Sequence, residues 1–354
     1  MTKLMLTIAI LAAPPVLDAQ SLASRVAIVP AGVVRMQFDA RPGVCGDGRD
    51  VVAYGNALFG RNFQSMGRWS GVRCEAGPLR ISLTVADGDV RQVRTQVGGT
   101  WPATGAEVTD LGVVPASEAS AYFFSLVPRL ERGSGKDRIL LPAVLADAPV
   151  VDRLFALARD DQRARGIRDQ ALHWLGILGD PQARGMLHTV IEDANEDRRI
   201  RANAIHALAN GGDLPASEIA YVRSLYGRFD DADLKEAVIF AMHRDGSDNR
   251  WLIERAMDRN ESTKLRMSAL FWAGQREATS TADLLSVYRD VREPSLREHA
   301  IFVLSQRQDD AATDILLDIA RGDDDKELRG KALFWLAQKD DPRVRKLIAD
   351  LLLK

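Results

Sequence analysis

Six stretches of the chain carry nearly the same eight residues: RDQALHWL (168–175), RANAIHAL (201–208), KEAVIFAM (235–242), RMSALFWA (266–273), REHAIFVL (297–304) and RGKALFWL (329–336). Each opens on a base. A small residue follows three positions later, then Ile or Leu, and four positions after the small residue an apolar one. The small residues fall at 171, 204, 238, 269, 300 and 332, in steps of 33, 34, 31, 31 and 32. Apolar residues at i, i+1 and i+4 share one face of a helix. A period in this range marks units that stack, because one helix pair cannot hide its own apolar side.

An earlier helix accompanies each of these. Its apolar anchors recur as Leu154/Leu157, Leu187/Val190, Val222/Leu225, Ile253/Ala256, Leu285/Tyr288 and Leu316/Ile319. The turn between the two helices is acidic: Asp160-Asp161, Glu196-Asp197, Asp230-Asp231, Glu261, Glu293 and Asp324-Asp325. Carboxylates there cap the coming helix and meet the positive end of its dipole. Four acids stand four residues before the repeated base, as Asp197–Arg201, Asp231–Lys235, Glu293–Arg297 and Asp325–Arg329. That order stabilises a helix by about 0.2–0.5 kcal/mol per pair, so the charge pattern is expected to serve helix structure. Residues 344–353 (VRKLIADLLL) are expected to close the stack.

The base, the small-apolar pair after it and the turn acids resemble HEAT repeats, from about Val150 to the C-terminus. The core Ala332-Leu333-Phe334-Trp335-Leu336 is similar to that of exported bacterial HEAT-repeat proteins. The resemblance implies a mostly α fold: a right-handed superhelix of about six helix pairs over 149–354, the second helices lining its concave side. The family spans scaffolds, transport receptors and a few enzymes, and the function implied here is a protein-interaction scaffold.

Residues 25–112 differ from the repeats. LRISLTVA (79–86) and VRQVRTQV (90–97) alternate apolar with polar residues around Asp87-Gly88-Asp89, a hairpin signature. VVRMQF (33–38) and Gly71 to Cys74 offer further strands. A small β-rich domain is expected, followed over 115–148 by connecting helices and a linker. Ser117 is placed to cap the first of these helices, and Gly133-Ser134-Gly135 forms the linker. At the start, Lys3 precedes the apolar run Leu4 to Ala13, which Pro14 and Pro15 break. Ala19, or Ser21 with Ala23, offers a cleavage site, so a signal peptide is expected over 1–23 and a periplasmic or secreted location with it. Cys45 and Cys74 agree with export. In an oxidising compartment they are expected to form a disulfide, the alternative being two buried thiols.

Known chemistries find little support. The chain has 354 residues with 47 Lys plus Arg against 49 Asp plus Glu, without the basic excess of a nucleic-acid binder. No stretch beyond the leader is apolar enough to span a membrane. Gly133-Ser134-Gly135-Lys136-Asp137 lacks the flanking Gly and Ser/Thr of a phosphate loop. Neither HExxH nor G-x-S-x-G occurs. HEAT-type iron hydroxylases would require His-Glu dipeptides as metal ligands. This chain has none, and Glu298-His299 runs the other way. His173 and His206 hold equivalent positions but lack a third ligand. No catalysis, metal or cofactor is therefore expected.

Aromatic residues are the remaining surface candidates. Two positions after the small anchor stand His173, His206, Phe240, Phe271, Phe302 and Phe334. The next position holds Trp174, Ala207, Ala241, Trp272, Val303 and Trp335. Adjacent helical positions point about 100° apart, so the two columns cannot both face one core. Either both pack between repeats or one is open to a partner. Phe240, Phe271, Phe302 and Trp272 form the candidate contact set, for a protein or peptide lying along the second helices. A rival expectation is a cell-envelope carrier holding a small molecule in the β domain or where it joins the repeats.

Overall fold

The computed structural model describes residues 21–54, 57–58, 74–101, 107–130, 139–211, 214–245 and 249–352. Most of the expected leader, all but Cys74 of the strand expected at Gly71 to Cys74, and the 133–135 linker lie outside them. The chain divides into two compact units, one ending at Pro149 and one beginning at Val150, the short stretch at 55–57 apart.

The first unit opens with α1 (Leu22–Ala27), β1 (Ala31–Phe38), β2 (Val44–Gly46), β3 (Val51–Tyr54) and β4 (Ala57–Leu58). It continues with β5 (Leu79–Ala86), β6 (Asp89–Val97), β7 (Val108–Val113), α2 (Ala116–Leu130) and α3 (Leu140–Leu145). β5 and β6 form the hairpin, turning on Asp87 and Gly88 with φ 55° and 73°, the left-handed pair that a two-residue turn needs. The main sheet has the order β6-β5-β1-β7, antiparallel except for the β1–β7 pair, and a smaller sheet has the order β2-β3-β4. Alternation sends Leu79, Ile81, Leu83 and Val85 inward.

Against them lie Phe123 and Val127 of α2 and Leu140 and Val144 of α3, all fully buried, with the Phe38 and Phe123 rings 6.0 Å apart. The Ser120 hydroxyl donates to the Ala143 carbonyl and ties α2 to α3. The helices read as a connector over 115–148 are thus part of this unit's core, and the unit is mixed α and β rather than β alone. Cys45 and Cys74 form the disulfide, with Cα atoms 5.1 Å apart. Closing a loop of this separation stabilises by about 3–4 kcal/mol in the chain-entropy picture.

The second unit is a succession of helix pairs: α4 (Val151–Arg159) with α5 (Arg165–Leu178), α6 (Pro181–Glu192) with α7 (Arg198–Asn210), and α8 (Ala216–Tyr226) with α9 (Ala232–Asp245). Then come α10 (Asn249–Met257) with α11 (Thr263–Gly274), α12 (Thr281–Asp290) with α13 (Pro294–Ser305), α14 (Asp310–Gly322) with α15 (Lys326–Leu336), and a closing α16 (Pro342–Leu352). Starts are set by side-chain caps: Asp180 before Pro181, Asp197, Ser262, Asp309 and Asp325, and a reciprocal Ser280–Asp283 box. Second helices stack in order, α5 on α7 on α9 on α11 on α13 on α15. The small anchors Ala171, Ala204, Val238, Ala269, Ala300 and Ala332 are all 0% exposed. Small side chains let the helices approach closely, and Gly176 goes further: a Cβ there would meet the Ala207 carbonyl oxygen at 2.1 Å. In the first helices the expected anchors Ile253 and Leu285 are only half-buried. Leu252 and Leu284, one residue earlier, fill the core.

The repeated bases do not make the expected i,i+4 pairs. Each reaches back across its own turn, forward to the next repeat, or both. Arg168 donates Nε to the Ala158 carbonyl at 2.7 Å and Nη2 to Glu196 at 2.7 Å. Arg266 repeats this with Ala256 at 3.0 Å and Glu293 at 2.5 Å. Arg201 takes the Ile191 carbonyl at 2.9 Å, Lys235 takes Glu261 at 2.8 Å and Arg297 takes Asp323 at 2.6 Å. The long side chain therefore satisfies a carbonyl left open at the end of the first helix and fastens the next repeat's turn. Beside Arg266, Glu293 is held below the usual carboxylate range. The acids that were expected as i,i+4 partners cap instead: Asp197, Asp231 and Asp325 accept from backbone N–H groups two and three residues on.

Candidate functional site

Stacking settles which aromatic column reaches solvent. The small anchor, the residue after it and the residue four on line the core: Leu172, Ile205, Ile239, Leu270 and Ile301 are 0% exposed. The column of Trp174, Ala207, Ala241 and Val303 is also buried, whereas its two remaining members, Trp272 and Trp335, stay half-buried. The other column lies at the surface of the second-helix layer. His206, Phe240, Phe271 and Phe302 are half-buried, His173 is exposed and Phe334 is 59% exposed.

These rings touch one another across repeats. His206 meets Phe240 edge-on at 4.9 Å, Phe240 meets Trp272 at 5.1 Å and Trp272 meets Phe271 at 5.0 Å. Phe271 and Phe302 lie parallel within 5° at 6.4 Å. Phe302 then meets Trp335 at 5.3 Å, and Trp335 meets Phe334 at 5.1 Å. The four candidate contact residues, Phe240, Phe271, Phe302 and Trp272, thus belong to one aromatic ribbon running from α7 to α15. Each such contact adds about 0.5–1.5 kcal/mol beyond the area it buries, so the ribbon holds its own geometry before any partner arrives.

Its borders are polar. One turn before Phe240 and Phe302 stand Glu236 and Glu298. They pair with lysines on the second helix of the next repeat, Lys264 at 2.7 Å and Lys331 at 2.6 Å. His243 sits 4.7 Å from the Trp272 ring with Nδ1 3.0 Å from the Trp272 carbonyl oxygen, and burial pushes its imidazole below the ordinary value. Burial depresses His206 and His299 in the same way.

One turn after the Phe column is a feature the sequence reading passed over. Gln275, Gln306 and Gln338 follow Phe271, Phe302 and Phe334 by four residues, all three exposed. The signal was Phe-x-x-x-Gln three times, in steps of 31 and 32. A glutamine at a helix end reads as solvated surface until its neighbours are aligned. Gln306 and Gln338 share a cleft of about 390 Å³ with Trp335, and Asp310, Asp340, Asp341 and Lys339 make its lining strongly polar.

Among the described residues, no three His, Cys, Asp or Glu converge as a metal site would require. Elsewhere, in the first unit, Gln37, Asp39, Pro78 and Val113 line an open recess of about 500 Å³.

No protein-family model and no characterised protein sequence matches the chain. Solved structures similar to it include human deoxyhypusine hydroxylase in complex with glycerol, at TM-score 0.32 and 20% identity, covering 67% of this chain and 96% of that one. Another is the complex of CpcE and CpcF of phycocyanin lyase from a Nostoc species, at TM-score 0.30 and 16% identity, covering 66% of this chain and 87% of that one. The expectation that the chain has no catalytic activity is corrected here. The proteins it is similar to include a hydroxylase and a lyase, so a helical-repeat fold is no ground for excluding catalysis.

Proposed function

We propose that this is an exported helical-repeat protein of the HEAT type, with the right-handed winding of such repeats, whose second-helix face binds a polypeptide partner. The observation that carries the reading is the ribbon of half-exposed rings. Stacking needs small and aliphatic residues at the anchor positions. It does not need Phe at 240, 271, 302 and 334, where solvent is reached. Aromatic side chains in a partly dry setting are the usual anchors of protein contacts. Export is supported by the Cys45–Cys74 bridge and by the described helices, none long and apolar enough to cross a membrane. Leu22 is buried in α1 and its N–H donates to Glu118 at 2.6 Å, so processing after Ala19 leaves that helix whole, whereas processing after Ala23 removes Leu22.

The test places a photo-crosslinking amino acid at 302 or 334 of the full chain in its native cells, with 289 and 318 on the exposed side of the first helices as controls. Discrete polypeptide adducts from 302 and 334 only are expected. Equal adducts from all four positions, or none from 302 and 334, overturn the reading. The rival of a small-molecule carrier rests on the recess beside Gln37 and Asp39.

A further inference from the structure

The repeat pattern is broken at the C-terminal end of the stack. The fourth residue of the first helix is aliphatic in α4, α8, α10 and α12, as Leu154, Ile219, Leu252 and Leu284, and in α6 it is Arg184. Leu154, Leu252 and Leu284 are fully buried. In α14 the residue is Thr313, 5% exposed. A hydroxyl in such a place costs stability unless something answers it. Thr313 lines the cleft where the ends of α13 and α15 meet the start of α14, and its hydroxyl has no hydrogen-bond partner among the described residues. Trp335 lines the same cleft, at the position that one repeat earlier is the buried Val303. Its indole N–H also has no partner among the described residues, although Phe302 and Phe334 edge its ring. Two departures from the repeat thus meet at one cavity, and local rules are most often broken where a site is built.

Around these groups stand side chains that both donate and accept. Gln308 and Gln338 are exposed and bond no protein group among the described residues, and Gln306 uses only Nε2, toward the Ser305 hydroxyl at 3.1 Å. The charged members are already matched. Arg343 holds Asp310 at 2.8 Å and Asp341 at 2.6 Å, Arg345 holds Asp340, and the Lys339 ammonium donates to the Arg307 carbonyl at 2.7 Å. Asp310 and Asp340 each give one oxygen, Oδ1, to their arginine, so the other is left to accept from a ligand.

This lining selects by chemistry. A cation gains little from acids that already have guanidinium partners, and an anion meets three carboxylates. An apolar ligand would strip water from the amides and carboxylates and return no hydrogen bonds. What fits is an uncharged molecule with hydroxyls around its rim, each both donor and acceptor, and an apolar face to lie on an indole. A pyranose is built that way, its axial C–H bonds making one face apolar. The volume of about 390 Å³ falls within the roughly 300–1,000 Å³ of small-molecule sites.

We propose that the cleft bounded by α13, α14 and α15 binds a neutral saccharide, with one pyranose ring stacked on Trp335 and its hydroxyls bonded by Thr313, Gln306, Gln338 and the open oxygen of Asp310. This goes beyond the polypeptide reading and does not depend on it.

The experiment titrates the full chain calorimetrically with chitohexaose, cellohexaose and maltohexaose, with hexalysine as competitor. At least one hexasaccharide is expected to bind, and hexalysine is expected not to displace it. Thr313→Val keeps the side chain's shape and removes the hydroxyl, and Gln338→Ala trims an exposed amide. Each should weaken binding about fivefold, as the loss of one net hydrogen bond implies. The thermal midpoint of Thr313→Val should hold or rise, because aliphatic residues fill the matching positions of other repeats, and that of Gln338→Ala should not move. Trp335→Leu should abolish binding, and the two milder variants decide the matter if that one unfolds. Three results overturn the proposal: no binding of any of the three sugars, unchanged affinity in Thr313→Val or Gln338→Ala, or displacement by hexalysine, which would make the cleft a seat for basic side chains. Crosslinks at 302 and 334 report on a polypeptide and the titration on a sugar, so either reading can fail while the other stands.

Discussion

In the first unit, Ala31 pairs with Ala86 and Val33 with Val108, so the central strand is completed by segments far along the chain. In the second, each helix packs on helices one or two places away: α5 on α4, α6 and α7, or α13 on α11, α12, α14 and α15. The sheet unit therefore closes on itself and adds a covalent loop. The repeat unit is held by neighbour interfaces that recur down the stack. A lesion in the first should be felt throughout it, while a lesion in the second should stay close to where it is made.

Phe123→Ala is the strongest challenge to that contrast. Phe123 is fully buried between α2 and the sheet, and removing its ring costs about 3–5 kcal/mol. Hydrogen exchange should lose protection across β1, β5, α2 and α3 together while α5 to α15 keep theirs. Loss confined to α2 would show that the sheet unit is not cooperative.

Gly176→Val probes the other side. The added side chain has to displace the Ala207 backbone, at a cost of about 1–3 kcal/mol. Exchange should quicken in α5 and α7 and stay unchanged in α13 and α15. Faster exchange along the whole stack would mean the repeats unfold as a single block.

The smallest effect separates the units by pH. All five histidines lie in the repeat unit, and burial holds His206, His243 and His299 below the ordinary value near 6.5. The unfolded state then binds more protons in that window. Stability is therefore full above about pH 6.5 and falls as pH drops toward the folded values. The first unit has no histidine before Val150 and should hold steady between pH 7.5 and 5.5. Urea titrations followed by hydrogen exchange at the two pH values should show only the repeat unit weakening. An equal shift in both units would assign the effect elsewhere.

Much of this was legible in the residues, and the parts that were not share a cause. The six repeats announced themselves by self-similarity, and Asp87-Gly88 marked its hairpin because few residues accept φ near 60° at consecutive positions. The role of α2 and α3 was hidden, since an apolar helix face does not say which surface it covers. The bases misled for a similar reason. Arg168 and Arg266 are long enough to pass over the nearest acid to a carbonyl behind and a carboxylate 28 or 27 residues ahead. The aromatic columns were degenerate on paper. Only the stacking direction shows that the one containing Phe302 reaches solvent while Val303 does not.

Cysteine scanning of two neighbouring positions in each of two repeats tests the stacking register most directly. The native cysteines are already joined, so an introduced thiol reports alone among the described residues. Under native conditions maleimide should modify Phe334→Cys fastest and Phe302→Cys more slowly, and should leave Ala300→Cys and Ala332→Cys untouched until the unit unfolds. Reactive thiols at 300 and 332 beside protected ones at 302 and 334 would turn the helices the other way, and the aromatic face would then be core.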